Sequence, residues 1–127
     1  MYPTDCRYTR EHEWVRQEDD VCVVGITDFA QQELGEVVYV ELPEVGHVFD
    51  AHQEIGTIES VKAVAEVFTP VAGEIVEINE VLADDPAALN EDPHGDGWLV
   101  RVKFSSSKDF EELMTAEQYE AFIQEGK

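Results

Sequence analysis

Between Pro43 and Glu80 the chain cannot run far in one regular conformation. The stretch PEVGHVFDAHQEIGTIESVKAVAEVFTPVAGEIVEINE is broken by Gly46, Gly56, Pro70 and Gly73, residue types that serve turns and bulges. Between the breaks Val and Ile dominate, and their branched Cβ atoms suit a pleated sheet better than a helix. Ile55, Ile58, Val61, Val64 and Val67 recur every third residue, as one face of a helix would. Gly56 and the β-branched content argue the other way, because both lower helix propensity. The expectation is a hairpin over residues 55–68 with Lys62 near its tip.

An internal echo points the same way. LGEVVYVEL (34–42) aligns with AGEIVEINE (72–80), placing Gly35 over Gly73, Val37 over Ile75, Val38 over Val76 and Val40 over Ile78. The match suggests two similar β units packed as a pseudo-symmetric pair.

Flanking segments complete a mainly β reading with a few short helices. HEWVR and VCVVGI, separated by QEDD, read as strands joined by a turn. TDFAQQELG reads as a short helix, with Thr27 as N-cap and Gly35 at its C-terminus. EVVYVEL is a strand ended by Pro43. VLADDPAALNEDPHGDGW is a polar connection in which a helical turn starts at Pro86 with Asp85 as N-cap. WLVRVKF is a last strand, and two helices close the chain. One is KDFEELM after Ser107, and the other follows a Thr115/Gln118 capping box with Tyr119 and Phe122 on its apolar face.

A chain of 127 residues corresponds to one domain. Asp and Glu outnumber Lys and Arg by 29 to 8, a formal charge of −21. Such a surface repels phosphate backbones and anionic lipid, so neither nucleic acid nor a membrane is an expected partner. It would instead steer the chain toward basic surfaces, although solubility alone is also a sufficient reason for it. Cys6 and Cys22 match no redox or metal spacing and read as reduced thiols of a cytoplasmic protein. The N-terminus resembles neither a secretory signal nor an organelle transit peptide; a mature mitochondrial form is left open.

Chemistry-bearing patterns are few. His12, His47, His52 and His94 lack zinc-site spacing, and no phosphate-binding loop or nucleophile elbow occurs, so no metal or catalytic residue is expected. Lys62 remains. It could be a Schiff-base lysine, but Glu59 and Glu66, if near, would favour its ammonium form over the free amine. It could be a solvated turn lysine in an acidic interaction module without cofactor. It could also be an attachment point, because an exposed amine on a rigid tip suits a swinging prosthetic arm. A biotin carrier usually has Met on both sides of its lysine, whereas Val61 and Ala63 stand here.

The run ESVKA (59–63) resembles the lipoylation signature of glycine cleavage system H proteins. YTREHEWV (8–15), VGITDFAQQELGEVVYVELPEVG (24–46), TPVAGEIVEIN (69–79) and LNEDPHGDGWLVRVK (89–103) resemble further stretches in the same order. The resemblance implies a barrel-sandwich hybrid of the lipoyl and biotinyl type, with residues 1–127 forming a single lipoyl-carrier domain that acts as a monomer and catalyses nothing itself. Lys62 would carry lipoic acid in amide linkage, in a recognition turn of Glu59, Ser60, Val61 and Ala63. Glu13 and Glu66 would be acids of a cleft for the arm. The arm would accept an aminomethyl group from a pyridoxal-phosphate glycine decarboxylase and present it to a tetrahydrofolate-dependent aminomethyltransferase. Dihydrolipoamide dehydrogenase would reoxidise it, and a lipoate-attaching enzyme would install it. Relay of lipoate to other dehydrogenase complexes is the alternative role. The sequence departs from the family pattern at Glu66, where Asp is usual, and at His94, where Tyr is common.

Overall fold

The computed structural model describes residues 2–105 and 107–125. Among the described residues nine strands carry the fold: β1 (Cys6–Tyr8), β2 (Glu13–Glu18), β3 (Val21–Ile26), β4 (Val37–Glu41), β5 (Val48–Phe49), β6 (Glu54–Ser60), β7 (Val64–Phe68), β8 (Gly73–Ile78) and β9 (Val100–Phe104). The described residues also form the short helices α1 (Asp28–Leu34), α2 (Val81–Asp84), α3 (Ala88–Glu91), α4 (Ser107–Glu111) and α5 (Ala116–Glu125). The strands form one sheet in the order β1-β2-β3-β9-β8-β5 and another in the order β4-β6-β7. This is a mainly β barrel-sandwich arrangement with short helices at its rim and C-terminus. None of the described helices is long and apolar enough to cross a membrane.

The main core lies between the two sheets, with Val15, Val24 and Val102 on one side and Val40, Ile58 and Val67 on the other. A second cluster of Tyr8, Trp14, Val23, Ala116 and Tyr119 packs α5 onto the far face of the larger sheet. Strand β3 and the first half of β2 are therefore buried on both faces, which explains why VCVVGI is continuously apolar rather than alternating. Cys22 belongs to the first cluster and Cys6 to the second; both are buried free thiols.

The hairpin over 55–68 is present as β6 and β7, with register pairs Ile58↔Ala65 and Glu59↔Val64. The echo is also structural. The pairing of β4 with β6 shifts register between Val37 and Tyr39, and that of β8 with β9 between Ile75 and Glu77. Val38 and Val76, aligned in the echo, are thus the extra residues of equivalent irregularities in the two sheets. Thr27 caps α1, its side chain accepting from the Ala30 N–H, and Gly35 ends the helix at a φ of +80°. The capping box of α5 forms as expected, with Thr115 and Gln118 bonded to each other's backbone N–H groups.

The polar connection after Glu80 differs from expectation. Asp85 does not cap a following helix; its N–H donates to the Val81 carbonyl and closes α2. The turn at Pro86 leads into α3, whose N-cap is Ala87. Leu82 and Leu89 are fully buried, so packing of two leucines fixes two single-turn helices where propensity alone is weak. The segment after Ser107 is helical only to Glu111, because Met114 is taken up in paired backbone bonds with Tyr8.

Candidate functional site

Lys62 is the central residue of the three that link β6 to β7, and Val61, Lys62 and Ala63 are all exposed. Ser60 makes that tip rigid. Its N–H donates to the Ala63 carbonyl at 2.8 Å, and its hydroxyl donates to the same oxygen at 3.2 Å. The hydroxyl also accepts the N–H groups of Lys62 and Ala63 at 3.3 and 3.0 Å. A buried serine thus satisfies the turn from within, and the N–H of Val61 ties it to the Glu36 carbonyl. No salt bridge forms at Lys62 among the described residues.

The lysine stem passes over the end of α1. A Cβ placed on Gly35 would meet Lys62 Cε at 3.4 Å, so the glycine that ends the helix also leaves room for the side chain. Asn90 braces this corner, its side chain donating to the carbonyl of Gly35 and the amide oxygen of Gln31 and accepting the Val37 N–H.

Beside this corner lies a cavity of about 310 Å³. Phe29, Ala30, Glu33 and Leu34 of α1 form one wall, Ile58 of β6 and Ala65, Glu66 and Val67 of β7 another, and Glu11, His12 and Glu13 a third. The two acids singled out in the sequence, Glu13 and Glu66, therefore line the same space. Their settings differ. Glu13 is only 2% exposed; its carboxylate oxygens accept the Thr9 hydroxyl at 2.6 Å and the Phe68 N–H at 3.2 Å. Burial pushes its pKa up to about 7 against the opposing effect of those two bonds. Glu66 is exposed at the rim, where its hydrogen bond with Glu54 holds the Glu54 carboxyl above the ordinary value. Glu59 is exposed on β6, in register with Val64. The arrangement can hold an apolar chain with a cationic end, because the walls are largely hydrocarbon and the polar ends are acids.

Two residues, one lining the cavity and one bracing the corner beside it, escaped sequence reasoning. His12 was set aside with the other histidines for lack of metal spacing, yet it lines the cavity at a left-handed φ of +69°. Asn90 carried no recognisable signal, since its bonds reach more than 50 residues back along the chain.

The comparisons with known proteins agree with one another. The model of the family described as Glycine cleavage H-protein matches residues 6–126. A glycine cleavage system H protein of Anaeromyxobacter sp. (strain K) is 52% identical over 123 residues, covering 97% of this chain and 96% of that protein. One from Oceanobacillus iheyensis is 50% identical over 123 residues, covering 97% and 98%. Among solved structures, the crystal structure of a glycine cleavage system H protein from Mycobacterium marinum superposes with a TM-score of 0.89 at 39% identity, covering 99% of this chain and 100% of that one.

Proposed function

The chain belongs to the glycine cleavage H-protein family, a lipoyl-carrying component of the glycine cleavage system and not a catalyst, and from that premise we propose that Lys62 is the lipoyl attachment residue. The observation that carries the proposal is the tip itself: one exposed lysine, in a turn held by the buried Ser60 hydroxyl, with its stem over Gly35 and next to the cavity-lining Leu34. A rigid base lets a long arm reach several enzymes without any loss of definition at its root. When attached, lipoic acid supplies a dithiol/disulfide arm that takes an aminomethyl group from the pyridoxal-phosphate glycine decarboxylase to the tetrahydrofolate-dependent aminomethyltransferase and is reoxidised by dihydrolipoamide dehydrogenase.

The residues around the cavity fit such an arm. Phe29, Leu34, Ile58 and Val67 provide hydrocarbon walls, and Glu13 and Glu66 provide acceptors for a charged amine. Glu13, poised near neutrality, would lose its proton when a cation lies against it. Glu59, Ser60, Val61 and Ala63 form the surface that a lipoate-attaching enzyme meets, Ser60 through the shape it imposes rather than by contact. The amide bond removes the Lys62 charge, leaving Glu59 and Glu66 as the nearby acids that partner enzymes encounter. In this reading the chain works as a monomeric, single-domain carrier in the cytoplasm.

Intact mass tests the attachment. Chain produced with lipoate and the attaching enzyme gains one lipoyl group, and Lys62→Arg gains none. A chain that remains unmodified yet supports glycine decarboxylation with the partner enzymes overturns the proposal.

A further inference from the structure

We propose that His94 and His12 are positioning residues of the arm cleft: as neutral rings they hold the first turn of α1, and with it Phe29 and Ala30, in the wall against which the arm rests. The inference builds on the cleft reading above and concerns what sets the shape of that cleft.

A helix of seven residues is not stable by itself, so its ends must be held by their surroundings. The C-terminal end is held by Gly35 and Asn90. At the other end, the N–H of Asp28 is one of the donors that an α-helix leaves unpaired, and its acceptor is Nε2 of His94 at 3.0 Å. A ring nitrogen that accepts carries no proton, so in the neutral ring the proton sits on Nδ1. That atom is buried and has no partner among the described residues. The ring is stacked on Trp14 at 5.8 Å, with Tyr2 edge-on at 5.5 Å.

The second tie runs through α5. Nδ1 of His12 lies 2.7 Å from the Tyr119 hydroxyl, which lies 2.8 Å from the Thr27 hydroxyl. Thr27 accepts the Ala30 N–H, and Thr27 and Tyr119 are both fully buried. Only one proton arrangement uses every group. The Thr27 hydroxyl donates to Tyr119, whose hydroxyl donates to His12 Nδ1, so this ring also must accept and be neutral.

Protonation undoes both ties. On His94 it would set Nε2–H against the Asp28 N–H and put a cation at the positive end of a helix. On His12 it would reverse the chain and leave the Thr27 hydroxyl proton without an acceptor. Other charges pull both ways. Asp28, Asp92 and Asp5 favour a charged His94, and Arg16 opposes it; Glu11 and Glu33 favour a charged His12, with Glu13 next to it in sequence and Tyr119 facing it. Burial outweighs these acids and lowers both rings from the ordinary value of 6.5. The folded chain therefore takes up these protons less readily than the unfolded chain. The ties are complete above about pH 6.5 and weaken as pH falls below it.

The test is amide hydrogen exchange in α1 on the unmodified chain, as protection factors at about pH 7.5 and about pH 5.5. The parent should lose about fivefold or more in protection at the lower pH, the loss expected for one ordinary hydrogen bond. His94→Phe, which keeps an aromatic ring on Trp14, should show that loss at both pH values. The double variant His94→Gln with His12→Asn keeps an acceptor at each place without a titrating group, and should be protected at both. A parent profile flat in pH, or a His94→Phe chain indistinguishable from the parent, overturns the proposal. With lipoate attached, the resonances of Phe29 and Ala30 should shift at pH 7.5 and shift less at pH 5.5. If α1 responds to pH as stated but attachment leaves those resonances unmoved at both values, the cleft reading fails, and the role assigned to the two histidines falls with it.

Discussion

Glu13 is where sequence and structure meet most closely at the scale of one residue. Its position in HEW suggested a cleft acid, but nothing in the string indicated that its carboxyl would be buried between Thr9 and Phe68, 55 residues away. Burial raises its pKa from 4.5 to about 7, so the folded chain holds this proton more tightly than the unfolded chain. The stability it contributes is fullest below about pH 4.5 and is lost as pH rises through 7. Glu13→Gln, which does not titrate, should gain on the parent by roughly 2–3 kcal/mol between pH 5 and pH 8, the linkage expected for such a shift. Urea unfolding of both chains at the two pH values measures it, and a constant difference would mean that Glu13 titrates as an ordinary exposed acid.

At the scale of elements, the hairpin was legible because Gly56 and the Val/Ile content both disfavour a helix, whatever the every-third-residue period suggests. Gly56 has a further role that only the fold reveals. A Cβ there would lie 2.2 Å from the Glu41 carbonyl oxygen, at the point where the β6–β7 register shifts. Backbone cannot yield as a flexible side chain can, so Gly56→Ala should force β4 and β6 apart and cost roughly 1–3 kcal/mol. A lower urea midpoint with an unchanged slope would register this; an unchanged midpoint would show that the strands separate at little cost. The turn at Pro86 was legible but its cap was not, and α2 was not legible at all, because these single turns are held by the burial of Leu82 and Leu89 rather than by side-chain caps.

For the whole molecule, charge is the dominant global quantity. Arg16 and Arg101 are committed to Glu18, and Arg101 also to Glu77, on the larger sheet. With 29 acids against 8 Lys and Arg, repulsion among carboxylates exceeds what these partly exposed pairs return, since such bridges are worth at most about 1 kcal/mol each. Screening should therefore stabilise the chain. Raising salt from about 0.02 M to about 0.5 M, where the screening length falls from over 20 Å to under 5 Å, should raise the thermal midpoint. A fall would mean that the few ion pairs matter more to stability than the excess of acids.

The sequence by itself determined the mainly β character, the hairpin at Lys62, both helix caps at Thr27 and Thr115, the echo between the two sheets and the family. All of these rest on local signals: branched side chains, glycine and proline breaks, capping residues, and short motifs in order. Tertiary structure alone decided that Glu13 and Glu66 line one cavity, that Ser60 holds the lysine turn from inside, and that His12 and His94 reach the first turn of α1. Those outcomes depend on contacts between residues distant in the chain and on how far water is excluded from them, and neither quantity is encoded in any local stretch.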